Sequence, residues 1–352
     1  MRAVNRTWKA VAIVLIGLIA GFLYPLLSKE FGNPYAIVNG LVIGLLGSLY
    51  IVIIELYLVN PHNRRIGFLT RWFRKTATYT VFLSFLILFV LTASRSIELG
   101  MNYSDYLQSD HFAKLIFQED IHIIFLYTLF LSAAIIFVNQ LSRKMGQGVL
   151  WNFITGHYHR PRNEHRIFMF LDLKDSTRWA ERLGDEKFSN LLNDFFYDIT
   201  PAIIATEGII YRYVGDEVVV SWHTAQGIRN ANCIRASFLA NLAIKRRREY
   251  YLGEYGFAPE FRTGLHCGTV VVGEVGEVKS QIAFVGDVLY LGSAIESDCK
   301  AQGVDNLISQ DLIQQISLPG TYQTHPVSSI PDNRGQDIKL YTVSEVIFTS
   351  PY

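Results

Sequence analysis

What most limits how this chain can fold is the crowding of apolar residues into its first 142 positions. Four runs, 11–27, 37–58, 77–93 and 121–141, are each about the length that a bilayer core demands of a helix, roughly 17 to 25 residues. Half of all residues are hydrophobic and the mean hydropathy is +0.21, high for a purely soluble chain. The spacing therefore predicts four transmembrane helices, with a lipid bilayer as their solvent. A cleavable signal peptide accounts only for the first run, and Phe22-Leu23-Tyr24-Pro25 offers no small-residue cleavage site, so that run is read as a retained helix.

Loop charges give the orientation. Arg2, Arg6 and Lys9 precede the first span, and Arg64, Arg65, Arg71, Arg74 and Lys75 follow the second, with no acid in either segment. The segment from Ser94 to Asp120 is acidic by contrast, with Glu98, Asp105, Asp110, Glu119 and Asp120 against Arg95 and Lys114. Arg143 and Lys144 follow the last span, so the positive-inside rule puts both termini on the cytoplasmic side of the inner membrane. Glu55, His122 and Asn139 lie near span ends, where an interfacial or helix-contact role suffices.

A net charge of +1 gives no general attraction to polyanions, and the aromatic residues read as core and membrane interface, so nucleic acid is excluded as a partner. Cys233, Cys267 and Cys299 show no metal-type spacing and read as reduced thiols. Residues 143–165, interrupted by Gly146, Gly148 and Gly156 and basic near their end, read as a cytoplasmic linker. Lys245-Arg246-Arg247-Arg248 reads as a solvated helix end.

From 166 to 346 the pattern is that of a separate α+β domain. Ile167 to Leu173 is a continuous apolar strand, followed by a helical region from Thr177 to Thr206 that Gly184 and Pro201 interrupt. Gly208 to Val214 and Glu217 to Trp222 flank a Gly215-Asp216 hairpin turn. A long helix over 227–251 and strands over 261–267 and 270–275 complete a β-α-β-β-α-β order, which predicts a ferredoxin-like sheet.

In that topology the first and third strands are antiparallel neighbours, so Asp172 at the end of the first lies beside Asp216 in the turn. Two converging carboxylates can hold one or two divalent cations at oxygen ligands, as phosphoryl chemistry requires. Lys174, Asp175, Ser176 and Thr177 open a helix with Ser176 as its expected N-cap, so their backbone amides suit phosphate oxygens. Glu217 and Asp287 read as structural hairpin and helix-start acids.

The blocks FLDLKDST, YRYVGDE, FRTGLHCGTVVVGEVG and VGDVLYLGSAIE, in that order, resemble the catalytic domain of the class III adenylate and guanylate cyclases, in a membrane-anchored bacterial-type arrangement with a single cyclase domain. The resemblance runs from about Ile167 to Val343. It implies that Asp172 and Asp216 bind two Mg²⁺ or Mn²⁺ ions per site, that Leu171 and residues 174–177 contact the substrate triphosphate, and that the substrate is ATP, with GTP as the alternative. Where the family reads the purine with a lysine, this chain has Arg212, and at the second purine position it has Ala283. The family's ribose-orienting Asn and transition-state Arg fall at Tyr290 and Ala294, and Arg334 falls near its triphosphate lysine. Because such sites form between two cyclase domains, a homodimer or a heterodimer with another cyclase domain is implied. Two functions follow from the resemblance: an adenylate cyclase, or a catalytically impaired homologue that binds nucleotide or pairs with another cyclase.

Overall fold

The computed structural model describes residues 2–27, 33–54, 67–117, 121–146, 149–278 and 280–345. Glu55, Arg64, Arg65, Glu119, Asp120 and the end of the second apolar run lie outside them. The chain divides into two compact units, Met1–Lys144 and Met145–Tyr352.

In the first unit each apolar run lies within a helix or begins as one: α1 (Arg2–Leu27), α2 (Pro34–Val52), α3 (Phe68–Glu98) and, after the short helices α4 (Tyr103–Leu107) and α5 (Asp110–Phe117), α6 (Ile121–Met145). Among the described residues two of these, α2 and α3, are long and apolar enough to cross a membrane. Large apolar side chains on α3 stand in the open, Phe73 at 70% and Phe85 at 68% exposure, which distinguishes it from a soluble core helix. Helices α1 and α2 cross with their backbones nearly touching. A Cβ placed on Gly17 would sit 2.6 Å from the Gly44 carbonyl oxygen, and Gly21 and Gly40 meet one turn further on. Small residues at four-residue spacing allow that approach, which apolar solvent rewards through packing alone. Polar contacts join α3 to α6: Thr80 and Ser132 share a hydroxyl hydrogen bond of 2.9 Å, and Trp72 Nε1 donates to the Ala133 carbonyl at 3.0 Å.

The second unit begins with helix α7 (Val149–Ile154) and is built on one mixed sheet. Its strands are β1 (Arg162–Leu173), β2 (Ile209–Val214), β3 (Glu217–His223), β4 (Phe261–Val275), β5 (Gln281–Val285), β6 (Asn306–Ser309), β7 (Tyr322–Pro331) and β8 (Asp337–Glu345). The order β2-β3-β1-β4-β6-β8-β7, with β5 added on β4, contains the predicted ferredoxin-like arrangement. Helices α8 (Ser176–Leu183), α9 (Asp185–Ala205), α10 (Thr224–Ile228), α11 (Asn232–Arg246), α12 (Arg248–Tyr255), α13 (Asp287–Gln302) and α14 (Gln310–Ile313) complete it.

Four sequence expectations change at this level. The linker is shorter than predicted, because Arg162 to Arg166 pair with Val272 to Gly268 and already belong to β1. The two expected strands at 261–275 are one, since Gly268 and Thr269 stay extended opposite Arg166 and His165. The single helix expected over 227–251 is three pieces, broken where Asn230 and Ala231 both take left-handed backbone (φ 53°) and again at Arg247. Gly184 does end α8, at φ 73°, whereas Pro201 sits inside a continuous α9.

The sheet has two unlike faces. On one, Ile167, Met169, Leu171 and Leu173 of β1 pack with Val218, Val220 and Trp222 of β3 against α9 and α11, all 1% exposed or less, and this is the main core. Burial of this kind contributes about 25 cal/mol per Å² of apolar surface and dominates the domain's stability. Cys233 and Cys267 lie in this core and Cys299 on the buried side of α13; all three thiols are free, and burial pushes them up to about 12, 11 and 12, which makes them inert. The other face carries Phe168, Phe170 and Val219 and is covered by α13 and by the β4–β5 arm. The acidic residues lie on that second face.

Candidate functional site

Alternation along the strands decides which side chains reach the second face. On β1, Phe168 and Phe170 point there, and Asp172 follows them. Its partner across β4 is Arg262, so a guanidinium stands directly opposite the carboxylate. Strand β3 sends Glu217 to the same face, and the two-residue turn before it holds Asp216. Gly215 takes φ 61° while Asp216 does not, the sign pattern of a type II′ turn, for which glycine at the first position is the least strained choice.

Arg212 arrives by a less regular route. Ile210 pairs with Val220 and Arg212 with Val219, so β2 carries one extra residue, Tyr211, at a bulge. In an unbulged strand Arg212 would oppose Val218 and point into the main core. The bulge turns it to the carboxylate face instead. There its guanidinium lies 5.2 Å from the Tyr211 ring centroid and acts on Glu217.

Helix α13 closes the other side. Gly264 of β4 meets the α13 backbone directly, a Cβ there falling 2.7 Å from both the Glu296 Cα and the Gly292 carbonyl oxygen. That close approach brings Glu296, 7% exposed, down against the acidic group. Burial, helped by Glu217 and opposed by Arg262, pushes the Glu296 carboxyl up to about 7. Burial also raises Asp172 to about 7, with the charges of Asp216 and Glu296 adding to it and a hydrogen bond joining the Asp172 and Asp216 carboxyls. Glu217 is likewise raised by burial, against the pull of Arg212. Crowded carboxylates with two arginines beside them form a site that attracts further positive charge. Sequence reasoning passed over Glu296 and Arg262; both lie inside the quoted blocks, and only strand pairing and helix packing point to them.

The structure redistributes the other candidates. Leu171 is fully buried in the main core, so its side chain faces away from the acidic group. Lys174 is engaged elsewhere, its Nζ 2.6 Å from Asp305 and 3.1 Å from Glu260. Burial works to lower its pKa, but the hydrogen bonds to those two carboxylates hold it above the usual lysine range. The residue capping α8 is Asp175, in left-handed backbone at φ 56°, and not Ser176, which is the first helical residue. Ser176 and Thr177 stand in the first turn of α8, five residues or fewer beyond Asp172. Ala283 lies on β5 opposite Gly273 and Arg212 on β2, each next in sequence to a residue of the Phe284–Tyr211 ring pair, whose centroids are 4.7 Å apart. Tyr290 projects from the first turn of α13 at 63% exposure, and Ala294 follows one turn later. Arg334 is exposed in the β7–β8 turn, its backbone N–H bonded to Asp332 Oδ1 at 2.8 Å.

Among the described residues no group of three or more His, Cys, Asp or Glu is arranged to hold a metal ion. A site with two carboxylates suits a hard cation that takes its remaining ligands from water and from substrate phosphate, which is the habit of Mg²⁺. The donor set thus fits Mg²⁺ or Mn²⁺ bound together with a nucleotide.

Residues 159–337, just over half of the chain, match the family model described as the adenylate and guanylate cyclase catalytic domain. The chain is 33% identical over 196 residues to adenylate cyclase 2 of Rhizobium meliloti, covering 56% of this chain and 54% of that protein. It is 26% identical over 184 residues to an adenylate cyclase of Anabaena cylindrica, covering 50% and 36% respectively. It therefore spans about half the length, or less, of these curated relatives. A solved bacterial light-regulated adenylyl cyclase superposes with a TM-score of 0.53 at 19% identity, over 64% of this chain and 67% of that one, a likeness of fold.

Proposed function

The chain belongs to the adenylate and guanylate cyclase catalytic domain family, and from that premise we propose that it is a membrane-anchored nucleotide cyclase converting ATP to cyclic AMP and pyrophosphate between two cyclase domains. The observation that carries the reading is the convergence of Asp172 and Asp216, from positions 44 residues apart in sequence, on one face of the sheet. Those two carboxylates would hold Mg²⁺ or Mn²⁺, two per site, and the ions would acidify the ribose 3′-hydroxyl and neutralise the triphosphate. Arg262 would balance the negative charge beside Asp172, and burial, which pushes the Glu296 carboxyl up to about 7, would lessen the charge it adds. Backbone amides of residues 174–177 would receive phosphate oxygens at the start of α8, while Arg212 and Ala283 would form the wall against the purine. A guanidinium presents a planar fork of donors in place of an ammonium, and Ala283 presents none, so base selection rests on Arg212 and on shape.

Catalysis needs a second domain, a homodimer or a different cyclase chain. Tyr290 and Ala294 occupy the positions of the ribose-orienting and transition-state groups and supply neither an amide nor a guanidinium. Losing such a preorganised charge costs about 3–4 kcal/mol, or two to three orders of magnitude in rate. That observation favours a second reading, in which the chain binds nucleotide and acts beside a partner that supplies both groups. The helical unit would be the anchor, with four spans and cytoplasmic termini, which keeps the site on the side where nucleotide triphosphates are available.

The test is product formation by the purified full chain with Mn-ATP and Mn-GTP. Cyclic AMP should form, Asp172→Asn and Asp216→Asn should each remove at least 99% of it, and Tyr290→Asn combined with Ala294→Arg should raise it at least tenfold. Absence of product from the wild type, alone and with a co-expressed cyclase, would refute the enzymatic reading.

A further inference from the structure

Arg166 on β1 carries a charge that the site does not use. It is 3% exposed and lies on the same face as the acidic group, some six residues before Asp172. Nearly all of its donors are taken. Nε donates to Glu164 Oε2 at 2.7 Å, Nη1 to Ser221 Oγ at 3.3 Å, and Nη2 reaches both Tyr158 OH at 3.3 Å and His223 Nε2 at 3.1 Å. The flat side of the guanidinium lies 4.9 Å from the centroid of the Phe284 ring. Burying a charge so thoroughly is costly unless each donor is satisfied, so the group is fixed in position by several partners at once.

Those partners come from two places. Phe284 belongs to β5, which pairs as a strand with β4 and curls over the sheet so that Phe284 meets Phe168 at 5.4 Å and Tyr211 at 4.7 Å, its backbone N–H donating to the Tyr211 hydroxyl at 3.3 Å. Tyr158 belongs to the segment that enters the domain just before β1. Its hydroxyl accepts from Arg166 and donates to Glu164 Oε1 at 3.0 Å, and its carbonyl accepts from the backbone N–H of Glu274 in the β4–β5 arm at 2.9 Å. One buried guanidinium therefore touches the entry segment and the strand that carries Ala283.

We propose that Arg166 is a positioning residue that ties the entry segment at Tyr158 to the β4–β5 arm, so that the placement of this segment sets the base-selecting wall of Ala283 and Arg212. Its consequence for nucleotide choice rests on the cyclase reading above; the mechanical link does not. Release of Tyr158 frees one acceptor and one donor in the network, and the arm then opens about Phe284 while the main core on the opposite face stays closed.

Hydrogen–deuterium exchange on the full-length protein without nucleotide tests the link. In Tyr158→Phe, and in Arg166→Lys, which keeps the charge but loses the fork, exchange of the amides at 281–285 should rise roughly tenfold while those of β3 and α9 stay unchanged. Kinetics on the same variants should show KM for ATP raised several-fold and the ATP-to-GTP preference altered, with kcat under saturating nucleotide nearly constant. Unchanged exchange at 281–285 in both variants overturns the proposal. A uniform rise across the domain also overturns it, as it would mark general destabilisation. Increased local exchange in both variants, with a wild type that forms no cyclic nucleotide, would support the link and remove the enzymatic reading.

Discussion

Gly264 is the position where the fold leaves least room, and replacing it with alanine tests how Glu296 comes to lie at the site. The added methyl would stand 2.3 Å from the Glu296 backbone nitrogen and 2.7 Å from its Cα and from the Gly292 carbonyl oxygen, where ordinary contact begins at about 3.4 Å. All three obstacles are backbone, so no rotamer change relieves them. The 16-residue α13 must lift off β4 by about 1.1 Å, and a gap of 0.5–1 Å already forfeits a quarter to a half of the dispersive attraction of each contact it opens. Val288, Leu291, Ile295 and Cys299 face the sheet along that helix and share the loss. Overpacking at a rigid site costs about 1–3 kcal/mol, and the backbone obstruction puts Gly264→Ala near 3 kcal/mol. For a domain of this size that is a fall in Tm of about 6–12 °C. Gly268→Ala is the control, since its Cβ would meet only the Val288 side chain at 3.2 Å, and its cost should be about 1 kcal/mol or less. The assay is thermal unfolding of the detergent-solubilised full chain followed by near-ultraviolet circular dichroism. If the two alanine variants melt within 2 °C of each other, the close approach of α13 is not what holds Glu296 in place.

Two further outcomes are expected. Gly44→Leu should separate α1 from α2, because the helices cross with the Gly17 and Gly44 backbones in contact; cysteine pairs placed across the crossing should lose their crosslinking yield, whereas Leu46→Ala on the exposed side of α2 should not change it. The pH dependence of stability is a balance: Asp172 and Glu296, raised to about 7, gain stability as pH falls through that value, whereas buried neutral histidine loses it. His266 is 4% exposed, with Nδ1 2.8 Å from Ser309 Oγ, and burial lowers its pKa, so the unfolded chain binds the proton more readily. Its contribution is intact above the ordinary value near 6.5 and is lost as pH falls below it, at up to about 1.4 kcal/mol per pH unit. His223, also lowered by burial and by Arg166, acts in the same sense. His266→Gln should remove the histidine part, so that the wild-type minus variant difference in Tm shrinks as pH falls from 6.5 to 5, and a difference constant with pH would count against burial of a neutral imidazole.

Much of this protein is legible in one dimension because the signals are local. Apolar runs of bilayer length place four helices, the change to alternating runs after 166 marks a second domain, and the order of strands and helices brings Asp172 beside Asp216. Each follows from periodicity and chain reversal, which a short window of sequence contains. Arg162 to His165 read as linker and become strand only because β4, a hundred residues later, supplies hydrogen-bond partners.

What tertiary structure alone decided is which side chains reach the acidic face. One extra residue at Tyr211 turns Arg212 from the core to the site, and a bulge is a property of pairing with β3, not of β2 itself. Lys174 is drawn away by Glu260 and Asp305, which are distant in sequence and adjacent in space. Glu296 arrives because a glycine on β4 lets α13 settle onto the sheet. Sequence determined the β-α-β-β-α-β order and, through it, the nearness of the two aspartates. Register, close approach and competing ion pairs, all contacts between remote parts of the chain, determined the rest of the site.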